Sequence, residues 1–145
     1  GTFFLREDSE KPIVFVASGT GFAPVKAIIE HALKIGFKRE MHFYWGVRKA
    51  ADLYMLDKIR AWEAQGIKFT AVVSDEAWQG RCGFVHQAVL EDFTDLSGYD
   101  VYACGAPVVV EAAHRDFTSQ RGLPDSAFYS DAFTFAPKSP TPTAA

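Results

Sequence analysis

Four short stretches of this chain hold residues whose types and spacing could do chemistry. The first, Ser18-Gly19-Thr20-Gly21-Phe22-Ala23-Pro24, sets a glycine on each side of a threonine. Glycine lets a backbone approach a phosphate with no Cβ in the way. The N–H groups at the start of a following helix favour an anion there. The stretch reads as a phosphate cradle or as a plain tight turn, because so short a motif specifies loosely. The others are Gly46-Val47-Arg48, Ser74-Asp75-Glu76 and Cys104-Gly105-Ala106-Pro107. Several familiar chemistries fail. No Gly-Lys-Ser/Thr follows at the spacing of a Walker loop, and Pro24 takes the place of the third glycine of the dinucleotide fingerprint. Val16 stands where a nucleophile elbow needs glycine, so Ser18 is no hydrolase nucleophile. His31, His42, His86 and His114 form no His-Glu-x-x-His, and Cys82 with His86 lacks a second pair to complete a tetrahedral set, so no metal site is expected.

The elements that must position these stretches follow from hydrophobic periodicity. Ile13 to Ala17 is a continuous apolar run between Pro12 and Ser18-Gly19, the pattern of a strand buried on both faces. From Pro24 the period changes: Val25, Ile28, Ile29, Ala32 and Leu33 share one face of a helix that Gly36 can stop. Met41 to Val47 reads as a second strand. Asp52 is expected to cap a helix with Met55, Leu56, Ile59 and Trp62 on its inner face, ending at Gly66. Ile67–Val73, Val101–Cys104 and Ala127–Tyr129 complete a set of five strands, with helices at Phe84–Leu90 and from Pro107 to Gly122. Alternation of this kind gives an α/β domain: a Rossmann-like, five-stranded parallel sheet with helices on both faces. Such sheets bind ligands at the carboxyl ends of their strands, which is where all four stretches fall.

Length and composition bound the rest. A chain of 145 residues suits one domain with a sizeable core. A net charge of −3 leaves no electrostatic footprint for nucleic acid or an anionic membrane, so neither is expected as a partner. Two cysteines build no disulfide scaffold and cannot alone hold an iron–sulfur cluster, so a reducing, cytoplasmic setting is expected. No apolar run reaches the ~18 residues of a membrane span, and there is no signal-peptide pattern. The chain opens on Gly1-Thr2-Phe3-Phe4-Leu5 without an initiator Met and reads as a piece of something longer. Residues 137–145, with Pro137, Pro140 and Pro142, read as a disordered tail behind a domain of residues 1–136.

In this setting Gly19-Thr20-Gly21-Phe22-Ala23-Pro24 resembles the G-T-G-x-[AST]-P motif of the ferredoxin-reductase-like flavoenzymes. Gly46-Val47-Arg48, Asp52-Leu53-Tyr54, Cys104-Gly105-Ala106-Pro107 and Asp131-Ala132-Phe133 follow in that family's order, over residues 3 to 136. The nearest resemblance is to bacterial reductases of the phenol-hydroxylase-reductase and CDP-deoxyglucoseen-reductase kind. It implies an NAD(P)H-binding domain of an oxidoreductase that passes hydride from NADH to FAD. Electrons then leave for an iron–sulfur centre or another acceptor. FAD would sit in a preceding domain of the same full-length protein, whose end residues 1–8 resemble. A [2Fe-2S] ferredoxin-like domain, or an oxygenase or dehydrase component, would be the electron acceptor. The flavin motif and the plant-type cluster motif are both absent from this chain.

The resemblance also implies roles. Gly19, Thr20 and Gly21 line the pyrophosphate and nicotinamide ribose, and Pro24 sets how the chain enters its helix. Cys104 lies beside the carbon that gives up hydride, with Gly105 allowing close approach and Ala106 also binding cofactor; by residue type alone Cys104 is a small core residue. Phe133 is an aromatic against flavin or nicotinamide, or a core Phe in a Phe-rich chain. Arg48 contacts a phosphate or is simply solvated. Ser74 precedes Asp75, where NADPH-specific relatives place Arg. A carboxylate there repels a 2′-phosphate and accepts hydrogen bonds from a ribose hydroxyl, which favours NADH over NADPH; as a turn residue it would do neither. A reading from another class is a non-catalytic nucleotide-binding regulatory module on the same fold.

Overall fold

The structure is a computed structural model that describes residues 3–36, 38–75 and 80–132, with Thr20 described by its backbone alone. Its elements run β1 (Ile13–Ser18), α1 (Phe22–Lys34), β2 (Met41–Val47), α2 (Leu56–Ala64), β3 (Lys68–Val73), β4 (Arg81–Cys82), α3 (Val85–Asp92), β5 (Asp100–Gly105), α4 (Pro107–Gln120) and β6 (Phe128–Ala132). The strands form one sheet in the order β4-β3-β2-β1-β5-β6, and every pairing is parallel. The expected fold class therefore holds, with six strands rather than five. The additional strand, β4, has only two residues, one of them Arg, and carries no periodicity that a sequence could reveal.

β1 sits at the centre because its apolar run satisfies both faces. Ile13, Phe15 and Ala17 join Val25, Ile29, Ile59 and Trp62 in the core under α1 and α2. Val14 and Val16 join Val85, Val89, Val110 and Phe117 under α3 and α4. Helices on both faces are what a doubly buried parallel strand requires. Phe22, at the start of α1, stacks on Trp45 of β2 at 4.5 Å, and the Trp45 Nε1–H donates to the Gly19 carbonyl at 2.9 Å. The turn after β1 is thus fixed from the neighbouring strand.

The start of α2 corrects the sequence expectation. Asp52 does not cap it. The Asp52 carboxylate accepts the Lys49 N–H at 3.2 Å and closes a 3-10 turn, Ala50–Asp52. Tyr54 then packs edge-on against Phe22 and Trp45, at 5.2 and 5.1 Å. The helix opens only at Leu56, after Met55 in the left-handed region at φ 57°. Met55 and Leu56 are exposed, and Ile59 and Trp62 alone fill the inner face.

Residues 3–12 are strapped to this domain. The Arg6 N–H donates to the Tyr102 hydroxyl at 2.9 Å, and Ser9 Oγ donates to Asp100 Oδ2 at 2.6 Å. Arg39 reaches across to donate to the Arg6 and Lys11 carbonyls and to Asp100 Oδ2, the last at 2.7 Å. The Arg39 and Asp100 side chains are only 4% and 3% exposed. Among the described residues no helix is long and apolar enough to cross a membrane. Phe133 and the 137–145 tail lie outside the described residues.

Candidate functional site

The strand order reverses at β1: β2 lies on one side, β5 on the other. A ligand crevice is expected outside the carboxyl ends of that pair. There the Ala106 N–H donates to Ser18 Oγ at 2.9 Å, bridging β1 and the chain leaving β5. Two glycines make the approach possible. Gly105 has φ +132°, and a Cβ there would stand 2.3 Å from Ser18 Oγ. A Cβ on Gly21 would stand 2.2 Å from the Cys104 carbonyl oxygen. The close approach that Gly105 permits is thus to Ser18 of β1.

A cleft of about 550 Å³ opens beside this crevice, over the ends of β1, β2 and β3. It gathers four of the expected residues, Gly19, Arg48, Ser74 and Ala106. Asp75 stands at its rim, its Oδ2 accepting Arg48 Nε–H at 2.7 Å. Pro24 is turned elsewhere: it lies in the first turn of α1 and lines a second depression of about 480 Å³ with Phe3, Ile28 and Asp131. α1 and α4 both begin at the carboxyl edge of the sheet. Neither has a side-chain hydrogen bond at its cap or an acidic residue in its first turn. Pro24 and Pro107 have no N–H to offer, so these N-termini present their positive dipole ends and the N–H groups of the other first-turn residues, the elements of an anion site.

Cys104 is 1% exposed, on the α1 face of β5 with Phe15, Phe22 and Tyr102. Burial pushes its thiol up to about 12, and the nearby Asp131 carboxylate adds to this. Cys104 is therefore a neutral, polarizable thiol at neutral pH and not a nucleophile. Neither cysteine is in a disulfide. His31, His42, His86 and His114 each lie against a carboxylate: Glu7, Glu40, Asp116 and Asp125 respectively. Among the described residues no group of three or more His, Cys, Asp or Glu could hold a metal ion.

Sequence reasoning missed Ser18 as a structural acceptor, and it missed Tyr54, Gly83, Phe84 and Val85 as cleft lining. Phe84, 60% exposed, carried one signal: an aromatic directly after a glycine at a strand exit. That strand, β4, was itself not legible.

Fold and site define a doubly wound α/β domain with an anion-favouring crevice at its switch point. Comparison with known proteins completes the assignment: the chain belongs to the oxidoreductase NAD-binding domain family, whose model matches residues 15–115. It is 46% identical over 138 residues to Protein RfbI of Salmonella typhimurium, covering 92% of this chain and 41% of that protein. It is 47% identical over 137 residues to the CDP-6-deoxy-L-threo-D-glycero-4-hexulose-3-dehydrase reductase of Yersinia pestis, with the same coverage of 92% and 41%. Among solved structures, the cytochrome P450 reductase GcoB of Amycolatopsis superposes with a TM-score of 0.80 at 37% identity, over 88% of this chain and 39% of that one. The chain thus spans about two fifths of the length of these relatives.

Proposed function

We propose that this chain is the NADH-binding half of an FAD-dependent reductase. The observation that carries the reading is the β1–β5 crevice, where the Ser18–Ala106 hydrogen bond meets the start of two helices without side-chain caps. Two of these relatives are named as reductases, which supports the same reading. Bound nicotinamide nucleotide supplies a hydride, and flavin in a further domain is the acceptor that can release electrons singly. This chain's own residues bind and orient. Gly19, Thr20, Gly21 and the first turn of α1 hold the pyrophosphate charge. Arg48, Ser74 and Asp75 meet the adenosine ribose, with NADH favoured over NADPH. Gly105 and Ala106 keep the crevice floor flat, and Phe133 is the aromatic that meets flavin or nicotinamide. Cys104 keeps a neutral, buried thiol near the reacting carbon.

The electron acceptor would be a [2Fe-2S] ferredoxin-like domain or an oxygenase or dehydrase component. The setting is cytoplasmic, in keeping with two cysteines outside any disulfide. Titration of the chain with NADH and ADP-ribose tests the reading. Saturable binding of both, with no flavin absorbance and negligible NADH–ferricyanide turnover, is expected of a nucleotide-binding half. No binding, or a yellow chain that turns over rapidly, would overturn it.

A further inference from the structure

One wall of the cleft hangs on little backbone. Gly83, Phe84 and Val85 line it, and they follow directly on β4. Among the described residues β4 is joined to β3 by two residue pairs, Val72↔Arg81 and Val73↔Cys82, and by the Gly83 N–H on the Val73 carbonyl at 2.9 Å. So short a pairing at a sheet edge does not hold its own position.

A side-chain cluster supplies what the ladder lacks. Arg81 Nη1–H donates to Asp92 Oδ2 and Nη2–H to Asp92 Oδ1, both at 3.0 Å. The same Nη2 donates to Glu91 Oε1 at 3.0 Å and to the Ala88 carbonyl at 3.2 Å. Asp92 Oδ2 also accepts the Tyr44 hydroxyl at 2.6 Å. Arg81 holds the Asp92 carboxyl below the usual carboxylate range; burial opposes this in part, and the Tyr44 hydroxyl adds to it. One carboxylate at the end of α3 therefore joins the edge strand to β2, two strands inward. A two-pronged guanidinium–carboxylate contact fixes angle as well as distance. The wall residues Gly83 and Phe84 are held from both sides: by β4, with Arg81, before them and by α3, which begins at Val85, after them.

We propose that Arg81, gripped by Asp92, is a positioning residue for nucleotide binding: it sets the Gly83–Phe84 wall against which the adenylate half of the dinucleotide fits. The proposal rests on the reading of the cleft as a nicotinamide-nucleotide site. The wall stands beside Ser74 and Arg48, the exits of β3 and β2, and Arg81 itself is not among the residues lining the cleft. Arg81 thus acts through the wall, and its loss should be felt as affinity.

The test is titration of the full chain with NADH and with AMP, together with amide hydrogen exchange. Arg81→Met is expected to bind both nucleotides ~10-fold more weakly. The Gly83 amide should exchange roughly 10-fold faster while the Val14–Ala17 amides of β1 keep their protection. Arg81→Lys should restore part of the affinity, because it keeps one charged donor. AMP binding unchanged in Arg81→Met overturns the proposal, and so does weakening accompanied by equal loss of protection across β1. If Arg81→Met does not fold, Asp92→Asn decides, because it weakens the grip on Arg81: weaker AMP binding with β1 protected supports the clamp, and unchanged binding overturns it. A wild-type chain that binds neither nucleotide fails at the earlier step, overturning the function reading and this proposal together.

Discussion

Arg48 and Asp75 form an ion pair across the rim of the cleft, Nε to Oδ2 at 2.7 Å. The backbones that carry them are already joined, with the Asp75 N–H on the Arg48 carbonyl at 2.8 Å, and Ser74 Oγ donates to the other carboxylate oxygen at 3.2 Å. The Arg48 guanidinium holds the Asp75 carboxyl below the usual range. From sequence, Asp75 is a negative charge that would repel a 2′-phosphate unless the nearby Arg48 or Lys49 offsets it. In the fold its charge is shared with a cation that is 82% exposed and able to swing.

Cofactor preference should therefore be modest and tunable at this pair. NADH should bind more tightly than NADPH to the wild-type chain, by less than an unpaired carboxylate would give. Asp75→Asn releases Arg48 toward a 2′-phosphate and should move the NADPH/NADH affinity ratio upward by roughly tenfold. Arg48→Met should move it the other way. Titrations at low and high ionic strength check this, because screening at high salt should shrink both shifts. Equal ratios in all three chains would make Asp75 a turn residue only.

Gly105→Ala should damage both fold and crevice. The new methyl would meet Ser18 Oγ and the Ser18 carbonyl, 2.3 and 2.6 Å away, in a backbone region that alanine disfavours. The expected loss is roughly 2–4 kcal/mol, read as a lower denaturant midpoint with an unchanged m-value. Adding a methyl at Gly98, where nothing lies within 4 Å, is the control and should change little.

The two cysteines should differ sharply in reactivity. Cys82 is exposed and Cys104 buried, so at pH 8 a disulfide reagent should find one fast thiol in the folded chain and two after unfolding. The folded Cys104 value, about 12, lies above its ordinary 9.0. A raised thiol value stabilises the fold below the ordinary value, and that contribution is lost as pH rises from 9.0 toward 12. Cys104→Ala should flatten this alkaline loss of stability. In the complete reductase it should also slow flavin reduction by NADH more than it weakens NADH binding.

Arg39→Met leaves Asp100 nearly buried with Ser9 as its remaining hydrogen-bond donor among those described above. Breaking one side of a buried ion pair costs ~3–5 kcal/mol, so a fall in Tm of roughly 10 °C is expected. Nucleotide affinity should hold at temperatures where the variant is folded, since this pair lies at the opposite end of β5 from the cleft.

What the sequence made legible follows from how each feature is encoded. β1 and α1 were readable because burial on two faces, or on one helical stripe, writes a period into neighbouring residues. The four chemical stretches were readable because the ends of such strands are where the chain must turn. β4 was not, since two residues write no period, and its tie to α3 runs through Arg81 and Asp92, 11 residues apart. The late start of α2 was hidden for a similar reason: the Asp52 carboxylate is taken by the Lys49 N–H. The Arg48–Asp75 pair needs two loops from different strands to be neighbours, which no spacing along the chain reveals.

The central place of β1 has a consequence for how the chain comes off the ribosome. Ile13 finds Met41 early, but its other edge waits for Asp100, with most of the chain still between them. Until then the growing polypeptide carries an open, apolar strand edge, and the Ser9–Asp100 and Ser18–Ala106 contacts cannot form. Long-range parallel pairing of this kind is slow and exposed to aggregation. Nascent chains truncated before Asp100 should therefore depend on chaperones, and release past β5 should end that dependence in one cooperative step.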